Sequence, residues 1–284
     1  MTDISLDTPK SSVAADELVT SQSGRARRRR ELAIGTGRTI LVLACGVLIW
    51  QLVTTWFNVK PIIFPKPIAV WDALRTGWTT PGLAGFAANA EATLIEIVLG
   101  FVIGVAIGLL LGFLISQAPI IDKILYPYIA MFNAVPKVAI APLFVLWFGF
   151  GLESKVLLTV TVTFFPIMVN AMAGFRSVDK DKRDLFRSMQ ANRWQTFRML
   201  TLPAAMPFLF AALEVGIVYS IISAIVGEFV GAQKGLGVQL LNANNNLATA
   251  AVFAILLNLA VFGLVTIYGL RAVRKKVLFW EGGR

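Results

Sequence analysis

Histidine is absent from these 284 residues and cysteine occurs once, as Cys45 inside an apolar run. Those two gaps exclude a disulfide framework, a Cys/His metal centre and any histidine-based proton shuttle, so no metal ligands are assigned. Charge is also scarce, at 15% of residues against 57% hydrophobic. That is more apolar surface than one soluble core could bury, and a lipid bilayer is the solvent that accounts for it. No Gly-x-x-x-x-Gly-Lys-Ser/Thr loop occurs anywhere, which excludes ATP hydrolysis by this chain. Acidic residues are outnumbered 16 to 26 by basic ones, yet the basic residues flank apolar runs. They therefore point to membrane orientation and not to nucleic acid.

Residues 1–24 are polar and lack helical apolar periodicity, and Arg25 and Arg27 to Arg30 follow them. The segment 1–38 reads as a disordered, basic cytoplasmic tail. The remainder, 39–284, reads as an all-α integral membrane domain with six spans, near 39–57, 92–115, 125–150, 156–175, 204–230 and 247–270. The first span carries no charge and no small-residue cleavage site, which marks a retained helix and not a signal peptide. After it, the proline-rich stretch from Lys60 to Pro67 is unsuited to helix. An Ile68, Trp71, Leu74 face then predicts a short interfacial helix ending at Gly77. With the tail inside, 20 basic residues fall in the inner segments and five in the outer ones. The positive-inside rule thus predicts a multi-pass inner-membrane protein with both termini in the cytoplasm.

Gly100, Gly104, Gly108 and Gly112 recur every fourth residue of the second span, a seam along which another helix backbone can approach. The third span holds Asn133, Pro136, Lys137 and Pro142, so its helix should be kinked or broken. Two readings of Lys137 stand side by side, a pathway group or a side chain snorkelling to an interface. Asn170 in the fourth span and Glu214 and Glu228 in the fifth complete the candidate pathway set, with Glu214 the stronger of the two acids on depth.

Between spans four and five, residues 176–203 form a charged, amphipathic cytoplasmic segment. Asp181 and Asp184 suit a helix start, and Leu185, Phe186 and Met189 form an apolar strip. Such a helix can dock in a partner's groove or rest on lipid headgroups. A break is expected near Asn192, with Trp194 and Phe197 carrying the apolar pattern on to Pro203.

This segment resembles the coupling loop of ABC-importer permeases, whose pattern runs Glu-Ala-Ala, three residues, Gly, nine residues, Ile, any residue, Leu-Pro. Leu200, Leu202 and Pro203 match its end. Asp184, Leu185 and Phe186 stand for Glu-Ala-Ala, Gln190 replaces the Gly, and Ser188, Ala191, Arg193 and Trp194 look typical of one branch. Because Gly there supplies a positive φ, Gln190 predicts a first helix that runs on slightly further. The likeness covers roughly residues 90–280, including Pro136 to Phe144, Trp147 to Gly151, Phe164 to Pro166, Gly227 to Gly231 and Gly235 to Gly237. Together these resemble the nitrate, sulfonate, taurine, bicarbonate and thiamine-precursor permeases.

The resemblance implies a type I importer fold in which two permease subunits, usually a homodimer, form the pathway. ATP and magnesium would be bound by a separate ATPase subunit, and a periplasmic or lipid-anchored binding protein would deliver the solute. Asp184 to Trp194, with Arg187 among them, would contact the ATPase. A stand-alone secondary transporter is the main competing reading, and a docking scaffold for peripheral proteins the third.

Overall fold

The structure is a computed structural model that describes residues 41–117 and 135–280, together with residues 38, 124, 128, 129, 131 and 132. Among the described residues there is no strand. The chain divides into two compact units, one ending at Pro67 and the other running from Ile68 onward. In the first, helix α1 (Leu41–Trp56) is a 16-residue apolar segment whose side chains are largely exposed. The proline-rich stretch after it is a series of turns, and the Trp50 indole N–H donates to the Pro65 carbonyl at 3.0 Å.

All of α2 (Pro67–Thr79) but its first residue belongs to the second unit, and that first residue is Pro, where a missing N–H costs nothing. The helix runs two residues beyond the expected stop at Gly77, because Gly77 is instead a contact point against the Phe86 ring. Ile68 and Trp71 point outward from it, and Trp78 donates its indole N–H to Asn258 at 3.0 Å. Next come α3 (Phe86–Ser116), a short 3-10 turn over Lys137–Ile140, α4 (Ala141–Phe148) and α5 (Leu152–Arg176). The third predicted span is thus interrupted where its prolines lie. Pro136 is non-helical, with ψ 86°, and α4 ends at Gly149, whose φ of +77° suits only glycine.

Helix α6 (Lys180–Ser188) leads to α7 (Arg193–Thr196), which passes through a wider π turn, Phe197–Thr201, into α8 (Leu202–Gly231). The π turn falls just before Pro203, whose ring would otherwise clash with the carbonyl one turn earlier. α9 (Leu236–Asn245) and α10 (Thr249–Val277) complete the unit. Four helical segments among the described residues are long and apolar enough to cross a membrane: Phe86–Ser116, Leu152–Arg176, Arg193–Gly231 and Thr249–Val277. α1 and the Lys137–Phe148 segment are shorter apolar helices.

The core is a stack of α3 on α5 and α5 on α8. All four seam glycines are buried and face α5, as their spacing predicts. A Cβ on Gly104 would lie 3.1 Å from Thr163 Cβ, and one on Gly112 would lie 2.7 Å from Ala171 Cβ. Lipid tails supply no hydrophobic force between helices, so this close backbone approach is what makes the contact favourable. α8 answers with its own small residues, Ala205, Ala212, Gly216, Ser220 and Ala224, all buried.

A Cβ on Gly108 would sit 2.6 Å from the Phe164 carbonyl oxygen and 2.9 Å from Ile167 Cβ. Gly108→Leu is therefore expected to destabilise the fold by about 3 kcal/mol or more through overpacking. Gly269→Leu, with nothing within 4 Å, is the control and should not destabilise. Thermal unfolding of the two variants in detergent checks this, and equal melting temperatures would show that the seam is not tightly packed.

Candidate functional site

The loop predicted to couple the chain to a partner is built from three local devices. The Asp179 carboxylate caps α6 by accepting from the Asp181 N–H. At the other end α6 closes in a Schellman turn: Gln190 N–H donates to Arg187 O and Ala191 N–H to Phe186 O, both at 3.0 Å. Gln190 sits at φ +55°, so the helix does not run on as its sequence suggested. The reason is that Gln adopts the left-handed conformation that glycine ordinarily supplies, and two backbone hydrogen bonds hold it there. Asn192 then opens α7 with a reciprocal capping box to Gln195, both bonds at 2.8 Å.

These turns leave Leu185, Met189 and Trp194 exposed, while Asp184 and Arg187 form a loose pair at 3.7 Å. Phe186 and Ala191 are half-buried, Ser188 bonds back to Leu185 O, and Arg193 is exposed. Leu202 and Pro203 begin α8. Beside the loop lies an open cavity of about 1410 Å³ whose lining includes Arg176, Lys180, Arg183, Arg187, Arg193 and Trp194. Among the described residues its lining includes no acid, so the charged groups there are all basic.

The candidate pathway residues do not form one cluster. Asn133 lies outside the described residues. Lys137, half-buried after the non-helical Pro136, places its Nζ 4.5 Å from the centre of the Phe165 ring. Asn170 donates its amide to the Pro166 carbonyl at 2.8 Å, within its own helix. Glu214 is engaged by α10, with Arg271 Nη2 at 3.2 Å and Arg274 Nη1 at 3.6 Å. Glu228, on the same helix but about 21 Å further along, occupies a different setting.

Glu228 is 1% exposed, not partly buried at a helix end. One of its oxygens accepts from the Thr93 hydroxyl at 2.6 Å, and the other from the Gly237 N–H at the start of α9. Thr93 Oγ1 in turn accepts from Leu236 N–H at 2.9 Å, and Asn89 Oδ1 from Gly235 N–H at 2.7 Å. Glu96 packs against this carboxylate and is 4% exposed, and its Oε2 has no hydrogen-bond partner. Lys155, also 4% exposed, donates to the carbonyls of Phe150 and Gly151 at 2.6 and 2.9 Å and lies within electrostatic reach of both acids.

Sequence reasoning missed most of this node. Glu96 falls inside the second span as drawn, and an ionisable residue at membrane depth is itself the signal that should have singled it out. Lys155 lies one residue before the expected start of the fourth span at 156, and so reads in the sequence as an outer-loop charge. Asn89, Thr93 and Asn258 carry no signal in one sequence, since each matters only through a partner far along the chain.

Comparison with known proteins gives a consistent result. The family described as "binding-protein-dependent transport system inner membrane component" matches residues 104–279. The riboflavin transport system permease protein RibX of Chloroflexus aurantiacus is 36% identical over 93% of this chain and 97% of its own length. The formylaminopyrimidine transport permease ThiX of Halalkalibacterium halodurans is 31% identical over 83% and 92%. The taurine transport permease TauC of Escherichia coli is 31% identical over 90% and 91%. Among solved structures, an inward-facing MetNI methionine ABC transporter chain aligns with TM-score 0.50 and 19% identity, over 75% of this chain and 97% of that one. That likeness concerns the fold alone.

The turn at Gln190 generates a prediction. A left-handed residue other than glycine costs about 1–2 kcal/mol, and more when β-branched. Gln190→Gly should therefore preserve or strengthen protection of the loop amides, and Gln190→Val should weaken it. Hydrogen exchange over residues 186–196 reads this directly, and equal protection in both variants would show that the left-handed turn is unimportant.

Proposed function

Because the chain belongs to the family of inner-membrane components of binding-protein-dependent transport systems, and is a permease subunit of an ATP-binding cassette importer, we propose that its segment from Asp184 to Trp194 is the surface on which the ATPase subunit acts. As a transport component it is not itself an enzyme, and its family works with an ATPase and a substrate-binding protein. The observation that carries the loop assignment is its construction. Two capped helices are joined by a left-handed turn that leaves Leu185, Met189 and Trp194 exposed on a segment continuous with α8. Exposed apolar anchors on a rigid helix, within a rim of Arg and Lys, are what a groove on a partner recognises.

Two copies of the permease enclose the pathway, ATP and magnesium are bound by the ATPase, and both termini lie in the cytoplasm with the basic segments. Asn133, Pro136, Lys137, Asn170, Glu214 and Glu228 remain the candidate pathway residues, and Gly100, Gly104, Gly108 and Gly112 the packing seam. Displacement of the loop by ATP-driven closure of the ATPase moves the helices it joins between inward- and outward-open arrangements. The cargo we propose is a heterocyclic vitamin or vitamin precursor, on the strength of the 36% identity to a riboflavin permease and the 31% identity to a formylaminopyrimidine permease. The taurine permease at 31% makes a small sulfonate the second reading.

Co-purification from cells expressing the native operon, with and without the double charge reversal at Asp184 and Arg187, tests the coupling surface. The wild-type chain should carry an ATPase subunit that the variant loses. Retention of the ATPase by the variant would place the contact elsewhere. Uptake of labelled riboflavin against labelled taurine in vesicles separates the two cargo readings.

A further inference from the structure

We propose that Glu228 is a positioning residue that carries the movement of α8 across to α9, at the end of the bundle opposite the coupling loop. The proposal rests on the reading of that loop given above. Three observations lead to it. First, Arg193–Gly231 is a single helical segment of 39 residues, about 58 Å at 1.5 Å per residue. It begins inside the coupling loop and bears Glu228 within its last turn, so a push at one end is delivered at the other.

Second, α8 and α9 are joined by a short non-helical link. It runs from Gly231 to Gly235, with glycine at each end, and Gly235 sits at φ +136°. Glycine lets such a link bend, so the link by itself does not fix the angle of α9 to α8. The Glu228 carboxylate is the direct side-chain tie from α8 to α9, while Asn89 of α3 holds the neighbouring Gly235 N–H. The carboxylate grips the first turn of α9 through Gly237 N–H, and through Thr93 it is joined to the Leu236 N–H as well. A carboxylate at a helix N-terminus also has the favourable sense with respect to the helix dipole.

Third, the arrangement is costly in a way that static packing does not require. Two carboxyl groups and a lysine amine are withdrawn from water together, and one oxygen of Glu96 is left without a partner. Apolar residues of similar volume would commonly serve stability as well or better. What the carboxylate offers instead is a directional grip on backbone amides that no apolar side chain can make. The element it holds presents a polar face: Asn242, Asn244, Asn245 and Asn246 are exposed at the far end of α9, followed by Leu247 at φ +54°. This is the element whose position would be set by the ATPase through Glu228.

Hydrogen exchange in the assembled transporter, with and without a non-hydrolysable ATP analogue, tests the inference. In the wild type both the loop peptide and the α9 peptide should respond to nucleotide, by about threefold or more in exchange rate. In Glu228→Ala the loop peptide should still respond and the α9 peptide should not. Glu228→Gln keeps an oxygen for Gly237 N–H and an amide for Thr93, and should restore the α9 response. Thr93→Val, which removes only the bridging hydroxyl, should at least halve it, and decides the matter if Glu228→Ala fails to assemble. An α9 response that survives Glu228→Ala, or is untouched by Thr93→Val, would overturn the inference while leaving the coupling loop in place. A loop that ignores nucleotide in the wild type would overturn the underlying functional reading as well.

Discussion

The contact on which the second unit depends is the approach of the α3 backbone to α5 along Gly100, Gly104, Gly108 and Gly112. In water such a contact would be a detail of a hydrophobic core, but between helices in lipid there is no apolar transfer energy left to gain. Attraction has to come from many short-range atomic contacts, each small, and these add up only when the backbones are close. Removing every Cβ on one face of α3 gives that closeness. The facing residues of α5 are mixed in size: Thr159, Thr163 and Ile167 fill the grooves and Ala171 meets Gly112. Once α3 and α5 are held together, α8 can lay its own small residues against α5, and the polar groups at either end are brought within reach of one another.

That arrangement explains where the ionisable side chains sit. Glu214 meets two arginines of α10 at the end nearer the basic loop, with those arginines more than a third exposed. At the opposite end Glu228, Glu96 and Lys155 are withdrawn from solvent but share hydrogen bonds with a helix start, a threonine and two carbonyls. Water answers the Glu214 arginines and backbone groups answer Glu228 and Lys155, while one oxygen of Glu96 is left without a partner. Between them lies α8, whose buried residues from Leu209 to Ala224 are apolar or small. The serines among them, Ser220 and Ser223, satisfy themselves on carbonyls one turn back.

Much of this was legible in the sequence. The glycine seam follows from a four-residue spacing, and the interruption at Pro136 follows from proline chemistry. Both are local rules and both hold. The coupling segment was legible as two short helices broken near Asn192, but its turn was not: Gln190 was expected to extend the helix, and instead takes a positive φ. A propensity describes what Gln prefers in isolation. Here the Schellman hydrogen bonds and the capping box that follows outweigh a cost of about 1–2 kcal/mol. The node around Glu228 was legible only as one acidic residue in a span. Its partners come from Asn89, Thr93, Glu96, Lys155 and Gly237, spread over about half the chain, and no pattern of spacing connects them.

The two ends of α8 therefore differ in kind. At the loop end the backbone is shaped by caps and turns coded within some twenty consecutive residues, and the exposed side chains are free to meet something outside the chain. At the Glu228 end the geometry is set by side chains from three separate helices and the backbone of a fourth, and almost nothing is exposed except the helix they hold. An element built from local signals can be altered by one substitution without disturbing the bundle, which suits a surface that must match a partner. One built from distant residues changes only when several of them change together, which suits a connection that has to keep its geometry while the helices around it move.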